Sequence, residues 1–216
     1  MDWDPVSHYK DVAVAERYDR ERFSRLTGRI FNALEKRAVR KAFGRITPKP
    51  ATIVDVPCGT GRLAEALLDD GYAIVGIDIS PAMLDVAKRK LQRFDTRFRT
   101  KVADVRELAE LEPRAYDAAL CARVLMHFQL DDQIRFLKSV AALSKGTVVF
   151  SQSLSTPYQR LRRGLKRLIG NPPPASYPIT ESELARLLRG ANLSEVRRVR
   201  VASLVSEGVY IVAKRT

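Results

Sequence analysis

An acid followed by two glycines opens the chemical reading. The segment is Asp55-Val56-Pro57-Cys58-Gly59-Thr60-Gly61-Arg62-Leu63-Ala64. Glycines let a backbone turn tightly and approach a ligand, and a helix start beyond Gly61 offers unbonded N–H groups. Gly59-x-Gly61-x-x-Ala64 fits a dinucleotide fingerprint, a weak signal alone. Asp55 changes the expected ligand, because a carboxylate there repels a pyrophosphate. It suits a ligand carrying an ammonium and a sulfonium, so an amino-acid-bearing nucleoside is favoured over NAD. Asp78, in Gly76-Ile77-Asp78-Ile79-Ser80, is the second anchor. A carboxylate there can accept both ribose hydroxyls, at roughly 1.5–3 kcal/mol per charge-assisted bond. The plainer alternative is a capping aspartate on a loop.

Two later residues add chemistry. His127 can act as a base near neutral pH, its alternative being simple packing at the start of a loop or helix. Arg123 can grip a carboxylate in bidentate fashion, its alternative being an exposed arginine in an arginine-rich chain. Cys58 and Cys121 read as small packing residues on adjacent strand ends.

The elements that position these residues follow from patterning. Residues 12–45 read as a helix or helices, with Leu26, Ile30, Leu34 and Ala38 stepping by four, ending before Thr47-Pro48-Lys49-Pro50. Strands are expected at Thr52–Val56, Tyr72–Ile77, Thr96–Val102, Tyr116–Cys121 and Thr147–Phe150. Helices are expected at Arg62–Asp70, Pro81–Phe94 (capped by Ser80) and Asp131–Leu143. Thr180–Arg189 reads as a helix with a capping box, and Val196–Val201 and Val205–Val212 as two strands. Ser206-Glu207-Gly208 is polar enough to mark an edge or a bulge. Such alternation implies a parallel sheet with its site at the carboxyl ends of the strands.

In this order the segments resemble the motifs of the class I S-adenosylmethionine-dependent methyltransferases of the small-molecule type. Asp55 to Ala64 resembles motif I and Asp78 the ribose-binding acid. Ala103-Asp104-Val105 resembles the segment that meets adenine, and Tyr116 to Phe128 the fourth-strand motif. The likeness is strong over 51–150 and weak from Ile179 to Leu193. It implies an α/β fold: a Rossmann-like, doubly wound, mostly parallel seven-stranded sheet with a C-terminal antiparallel hairpin and an N-terminal helical cap. It implies one domain over 1–216, divided into a cap (1–48), a cofactor-binding core (51–152), a basic insertion (153–178) and a terminal helix with hairpin (179–216). S-adenosylmethionine is the implied cofactor, with no metal. Its implied contacts are Asp55, Pro57, Cys58, Gly59, Thr60, Gly61, Asp78, Ile79, Met83, Ala103, Asp104, Val105, Cys121, Ala122 and Arg123. His127 is the candidate catalytic base, and Tyr9, Tyr18 and Arg22 are lid candidates. Pro57 departs from the family's usual glycine and supplies no N–H to a ligand.

Composition narrows the partners. With 38 Lys and Arg against 25 Asp and Glu, the chain carries a net charge of +13. No acidic residue lies between Asp132 and Glu181, an interval holding Arg135, Lys138, Lys145, Arg160, Arg162, Arg163, Lys166 and Arg167. Such clustering suits anionic partners. The first expectation is a small-molecule acceptor, anionic or lipid-linked. Around Leu161, Leu165, Leu168 and Ile169 the basic residues form an amphipathic pattern that allows peripheral membrane contact. RNA or DNA methylation is the second expectation, although no base-flipping motif ends the fourth strand. A non-catalytic partner subunit is the third. Met1 to Pro5 does not read as a signal peptide, and no transmembrane run is seen. Two cysteines make neither a disulfide framework nor a zinc pattern, so a cytoplasmic location is expected.

Overall fold

The computed structural model describes residues 12–44, 48–155, 177–202 and 208–216. Strands β1 (Thr52–Asp55), β2 (Ala73–Asp78), β3 (Phe98–Val102), β4 (Tyr116–Cys121), β5 (Ser144–Ser153), β6 (Leu193–Arg200) and β7 (Gly208–Arg215) form one sheet in the order β3-β2-β1-β4-β5-β7-β6. The first five are parallel; β7 runs antiparallel to both β5 and β6. This is the expected seven-stranded Rossmann-like sheet with its terminal hairpin. The strand order reverses between β1 and β4, where such sheets bind ligands.

Helices cover both faces. Helices α1 (Val12–Phe23), α2 (Leu26–Phe43), α3 (Arg62–Asp69) and α4 (Pro81–Leu91) precede β3. Helices α5 (Val105–Leu111), α6 (Leu130–Leu143) and α7 (Glu181–Gly190) follow it. Side chains alternate across each strand, so neighbours serve opposite cores. Val54, Ile211 and Ala213 join Leu108, Leu137 and Leu187 in one cluster. Ile53, Tyr210 and Val212 join Val39, Phe43 and Leu67 in the other. Among the described residues no helix is long and apolar enough to cross a membrane.

The structure corrects several expectations. Leu26 and Ile30 are 72% and 52% exposed, outside the buried stripe. A strict step of four drifts about 40° per step around a helix of 3.6 residues per turn, so Leu26 and Ala38 cannot share a face. The buried face of α2 is Glu35, Ala38, Val39, Ala42 and Phe43. The cap region is two helices, and Gly28 allows the sharp junction, since a Cβ there would strike the Arg22 carbonyl. Helix α4 stops at Leu91 and tightens into a 3-10 turn, Gln92–Arg97, so Phe94 lies beyond it. Helix α5 was not foreseen; Asp104 starts it by accepting from the Arg106 N–H at 2.9 Å. The expected strand start at Val205 and most of the polar Ser206-Glu207-Gly208 run lie outside the described residues. Gly208 itself begins an interior strand, and the register shift falls in β6, between Glu195 and Arg197. Most of the basic insertion, 156–176, also lies outside them, as do Tyr9 and the acidic start of the chain.

Candidate cofactor site

A cavity of about 590 Å³ opens at the carboxyl ends of the first four strands. Its floor is the loop between β1 and α3. Gly59 and Gly61 hold left-handed backbone, with φ of 54° and 71°. A Cβ on Gly59 would meet nothing within 4 Å, so that face of the loop is open to a ligand. Gly61 does a different job: a Cβ there would sit 2.6 Å from Leu91 Cδ1, so its absence lets α4 pack close. Gly76 is the third close approach, since a Cβ would fall 2.6 Å from the Cys58 sulfur.

Two buried carboxyl groups face the cavity. Asp55 is 2% exposed and Asp78 is 7% exposed. Burial pushes the Asp55 carboxyl up to about 8, partly opposed by a hydrogen bond from the Cys58 thiol, while the Asp78 charge pushes it further up. Burial raises Asp78 too, opposed by the N–H groups of Ser80, Gly59 and Ile79. Gly59 N donates to Asp78 Oδ2 at 2.8 Å and Ser80 N to Oδ1 at 2.9 Å. An ionised carboxylate has about four acceptor sites, so capacity remains for ribose hydroxyls.

Of the expected cofactor contacts, Asp55, Pro57, Cys58, Gly59, Thr60, Asp78, Ile79, Met83, Ala103, Asp104, Val105, Ala122 and Arg123 line this cavity. Gly61 and Cys121 do not; Cys121 is 1% exposed at the end of β4. The Asp104 carboxylate is held by the Arg106 guanidinium, which keeps it below the usual carboxylate range. His127 lines the cavity, and burial followed by the charges of Arg22 and Arg123 lowers its pKa. Arg22 is itself exposed on α1. Phe128 and Phe136, ring centroids 5.5 Å apart, extend the cavity beyond His127, with Asp132, Arg135 and Arg106 alongside.

Sequence reasoning missed a buried polar cluster behind this wall. Glu35, on α2, is 2% exposed. Its Oε2 takes the Arg62 guanidinium at 2.6 Å. Its Oε1 accepts from the Tyr210 hydroxyl at 3.1 Å and faces Arg123 Nη1 at 3.5 Å. Arg62 also donates to Asn32 Oδ1 at 2.8 Å and lies 4.6 Å from the Phe23 ring centre. Arg123 is therefore both a cavity wall and a partner of the cap. Its left-handed φ of 61° is held by an N–H bond to Ser151 Oγ at 2.6 Å. A readable signal existed: a glutamate at i+4 from Phe31 and i−4 from Val39 breaks an otherwise apolar stripe.

Comparison with known proteins follows the same residues. A family described as methyltransferase domain matches residues 53–146. The ubiquinone biosynthesis O-methyltransferase of Nitrosomonas europaea is 29% identical over 201 residues, covering 89% of this chain and 77% of that protein. The enzyme of the same name from Coxiella burnetii is 33% identical over 109 residues. That match covers 50% of this chain and 45% of the relative, so the matched stretch spans less than half the relative's length. The structure of magnesium protoporphyrin IX methyltransferase from Synechocystis PCC 6803, with bound SAH, superposes with a TM-score of 0.74 at 18% identity, covering 98% of this chain and 97% of that one. Residues 53–146 match a methyltransferase domain, and the chain as a whole is similar to class I S-adenosylmethionine-dependent methyltransferases. S-adenosylmethionine is the cofactor this similarity implies, and the cavity passes a test of fit. The chain presents a buried acid able to face a cationic amino acid, an open glycine face beside it, and an acid, Asp78, with acceptor capacity to spare for a ribose.

Proposed function

We propose that this methyltransferase transfers a methyl group to a small-molecule acceptor that is anionic or lipid-linked. The observation carrying the acceptor reading is the cavity beyond the two carboxyl groups, where His127 and the Phe128–Phe136 pair meet Arg106, Arg123 and Arg135. Aromatic faces suit a flat or apolar body, and guanidinium groups suit a carboxylate or phosphate. Relatives named as O-methyltransferases of ubiquinone biosynthesis support an oxygen acceptor.

In this reading S-adenosylmethionine supplies an electrophilic methyl group on a sulfonium. Asp55 faces the ammonium and Asp78 accepts the ribose hydroxyls. The Gly59–Thr60 backbone approaches the ligand, while Ile79, Met83, Ala103, Asp104, Val105 and Ala122 enclose the nucleoside. Arg123 holds a carboxylate at the cap side. Pro57 contributes shape only. His127, kept neutral by burial and by Arg22 and Arg123, accepts the proton of a hydroxyl acceptor. Alignment of the acceptor with the methyl group supplies most of the acceleration, of the order of 7–11 kcal/mol in well-oriented systems. Arg22 belongs to the cap side of the site. The division into cap, core, insertion and hairpin is part of the same reading, as is a reducing, cytoplasmic setting for the free Cys58 and Cys121.

Calorimetric titration with S-adenosylhomocysteine, with NAD as control, tests the cofactor pocket. Micromolar binding that Asp78→Ala abolishes supports it; equal binding by the variant removes Asp78 from the assignment. A methyl-transfer screen over phenolic, carboxylate and phosphate-bearing acceptors then tests the acceptor class. Transfer only to RNA or DNA would overturn the small-molecule reading.

A further inference from the structure

The cap touches the cofactor loop at one further point. Asp19, on α1, accepts a hydrogen bond from Thr60 Oγ1 at 2.9 Å. Its other oxygen takes Lys90 Nζ, on α4, at 2.8 Å. Thr60 is the residue between the two left-handed glycines, is 2% exposed and lines the cavity. One carboxylate therefore joins the cap helix, the glycine loop and the helix that starts at Ser80 beside Asp78. A serine or threonine hydroxyl rotates freely unless a partner fixes it. With Asp19 in place, the Thr60 side chain points away to the cap.

We infer that Asp19 is a positioning residue for the cofactor. It holds Thr60, and through it the Gly59–Thr60–Gly61 backbone, in the shape that fits the ligand, and it makes docking of α1 and ligand binding mutually dependent. This rests on the assignment of the cavity to S-adenosylmethionine. Thermodynamic linkage makes the coupling reciprocal: if α1 docking tightens the ligand, the ligand tightens α1 docking by the same factor. Asp19 is partly exposed, with about a third of its side chain in water, so a modest factor is expected.

Glu16 provides the control. It lies on the same helix and ties α1 to α4 through Arg89 at 3.5 Å, without touching the loop. Asp19→Ala, Asp19→Asn and Glu16→Ala are compared with the native chain. Two readouts are used: calorimetric affinity for S-adenosylhomocysteine, and hydrogen exchange of the α1 amides with and without it. Asp19→Ala is expected to weaken binding roughly five- to tenfold, at the low end of common coupling factors. Its α1 amides should gain no protection from the ligand. Asp19→Asn, which keeps an acceptor for Thr60 and loses the charge facing Lys90, should fall between. Glu16→Ala should bind as the native chain does and keep ligand-dependent protection. A Thr60→Ala, Asp19→Ala double variant should be no weaker than Thr60→Ala alone. Native affinity in Asp19→Ala, or undiminished ligand-dependent protection of its α1, overturns the inference while leaving the cofactor assignment intact. Equal weakening by Glu16→Ala also overturns it, since general helix docking would then suffice. Failure of the native chain to bind S-adenosylhomocysteine removes both.

Discussion

Two clusters of buried charge lie back to back in this molecule, and they differ in kind. At the strand ends, Asp55 and Asp78 place two buried carboxyl groups beside an open cavity. Behind the wall, Glu35 is surrounded by Arg62, Arg123 and Tyr210, so its charge is matched within the protein. Two buried carboxyl groups cannot both ionise cheaply, so Asp55 keeps its proton until a cation arrives from outside. A matched cluster contributes fixity and asks for no ligand. In the proposed reading the first arrangement binds the ligand, while the second clamps α2 to the sheet.

That contrast makes divergent predictions. Glu35→Ala should have the largest effect, and on stability. Removing one partner from a buried ion pair costs about 3–5 kcal/mol. At roughly 2–4 °C per kcal/mol for a chain of this size, melting should fall by on the order of 10 °C in calorimetry. A fall of only a degree or two would break the comparison. Asp78→Ala should do the reverse, lowering melting less while weakening S-adenosylhomocysteine binding by about 150-fold or more in titration, from the loss of two charge-assisted bonds.

The third prediction concerns Asp55 and pH. Its folded-state carboxyl is raised from 3.8 to about 8. The folded chain therefore holds this proton more tightly than the unfolded chain does. The stability it contributes is fully present below pH 3.8 and is lost progressively as pH rises through about 8. Ligand binding runs the other way, because a cationic amino acid prefers the ionised acid. Affinity for S-adenosylhomocysteine should rise with pH, approaching about tenfold per unit below pH 8, and Asp55→Asn should flatten that slope. A flat native profile would remove Asp55 as the counter-charge. Tyr210→Phe should show the smallest effect, roughly 1 kcal/mol of stability by denaturant titration with unchanged ligand affinity.

The two clusters also differ in how legible they were. Asp55, Gly59, Gly61 and Asp78 stand beside β-branched runs and helix starts, and local order is enough to place them at strand ends. The parallel sheet followed from the same alternation. The Glu35 cluster joins α2, α3, the turn after β4, and β7, whose residues are far apart in the chain, and no local pattern brings Tyr210 to Glu35. Asp19 and Thr60 fall in the same class. Helix α5 was missed for another reason: it has only seven residues, and its buried side is Val105, Leu108 and Ala109. The misplaced stripe on α2 shows the limit of counting in fours on a helix of 3.6 residues per turn.

The place of β7 carries a consequence for how the chain folds. It is the last strand in sequence, yet it lies between β5 and β6, with Tyr210, Ile211, Val212 and Ala213 fully buried. During synthesis the cofactor loop and the first five strands emerge while β5 still presents an unpaired edge, a hazard for association with other chains. The Tyr210 hydroxyl reaches Glu35 only when β7 inserts, so α2 gains this anchor to the sheet only after β5 and β6 have been made.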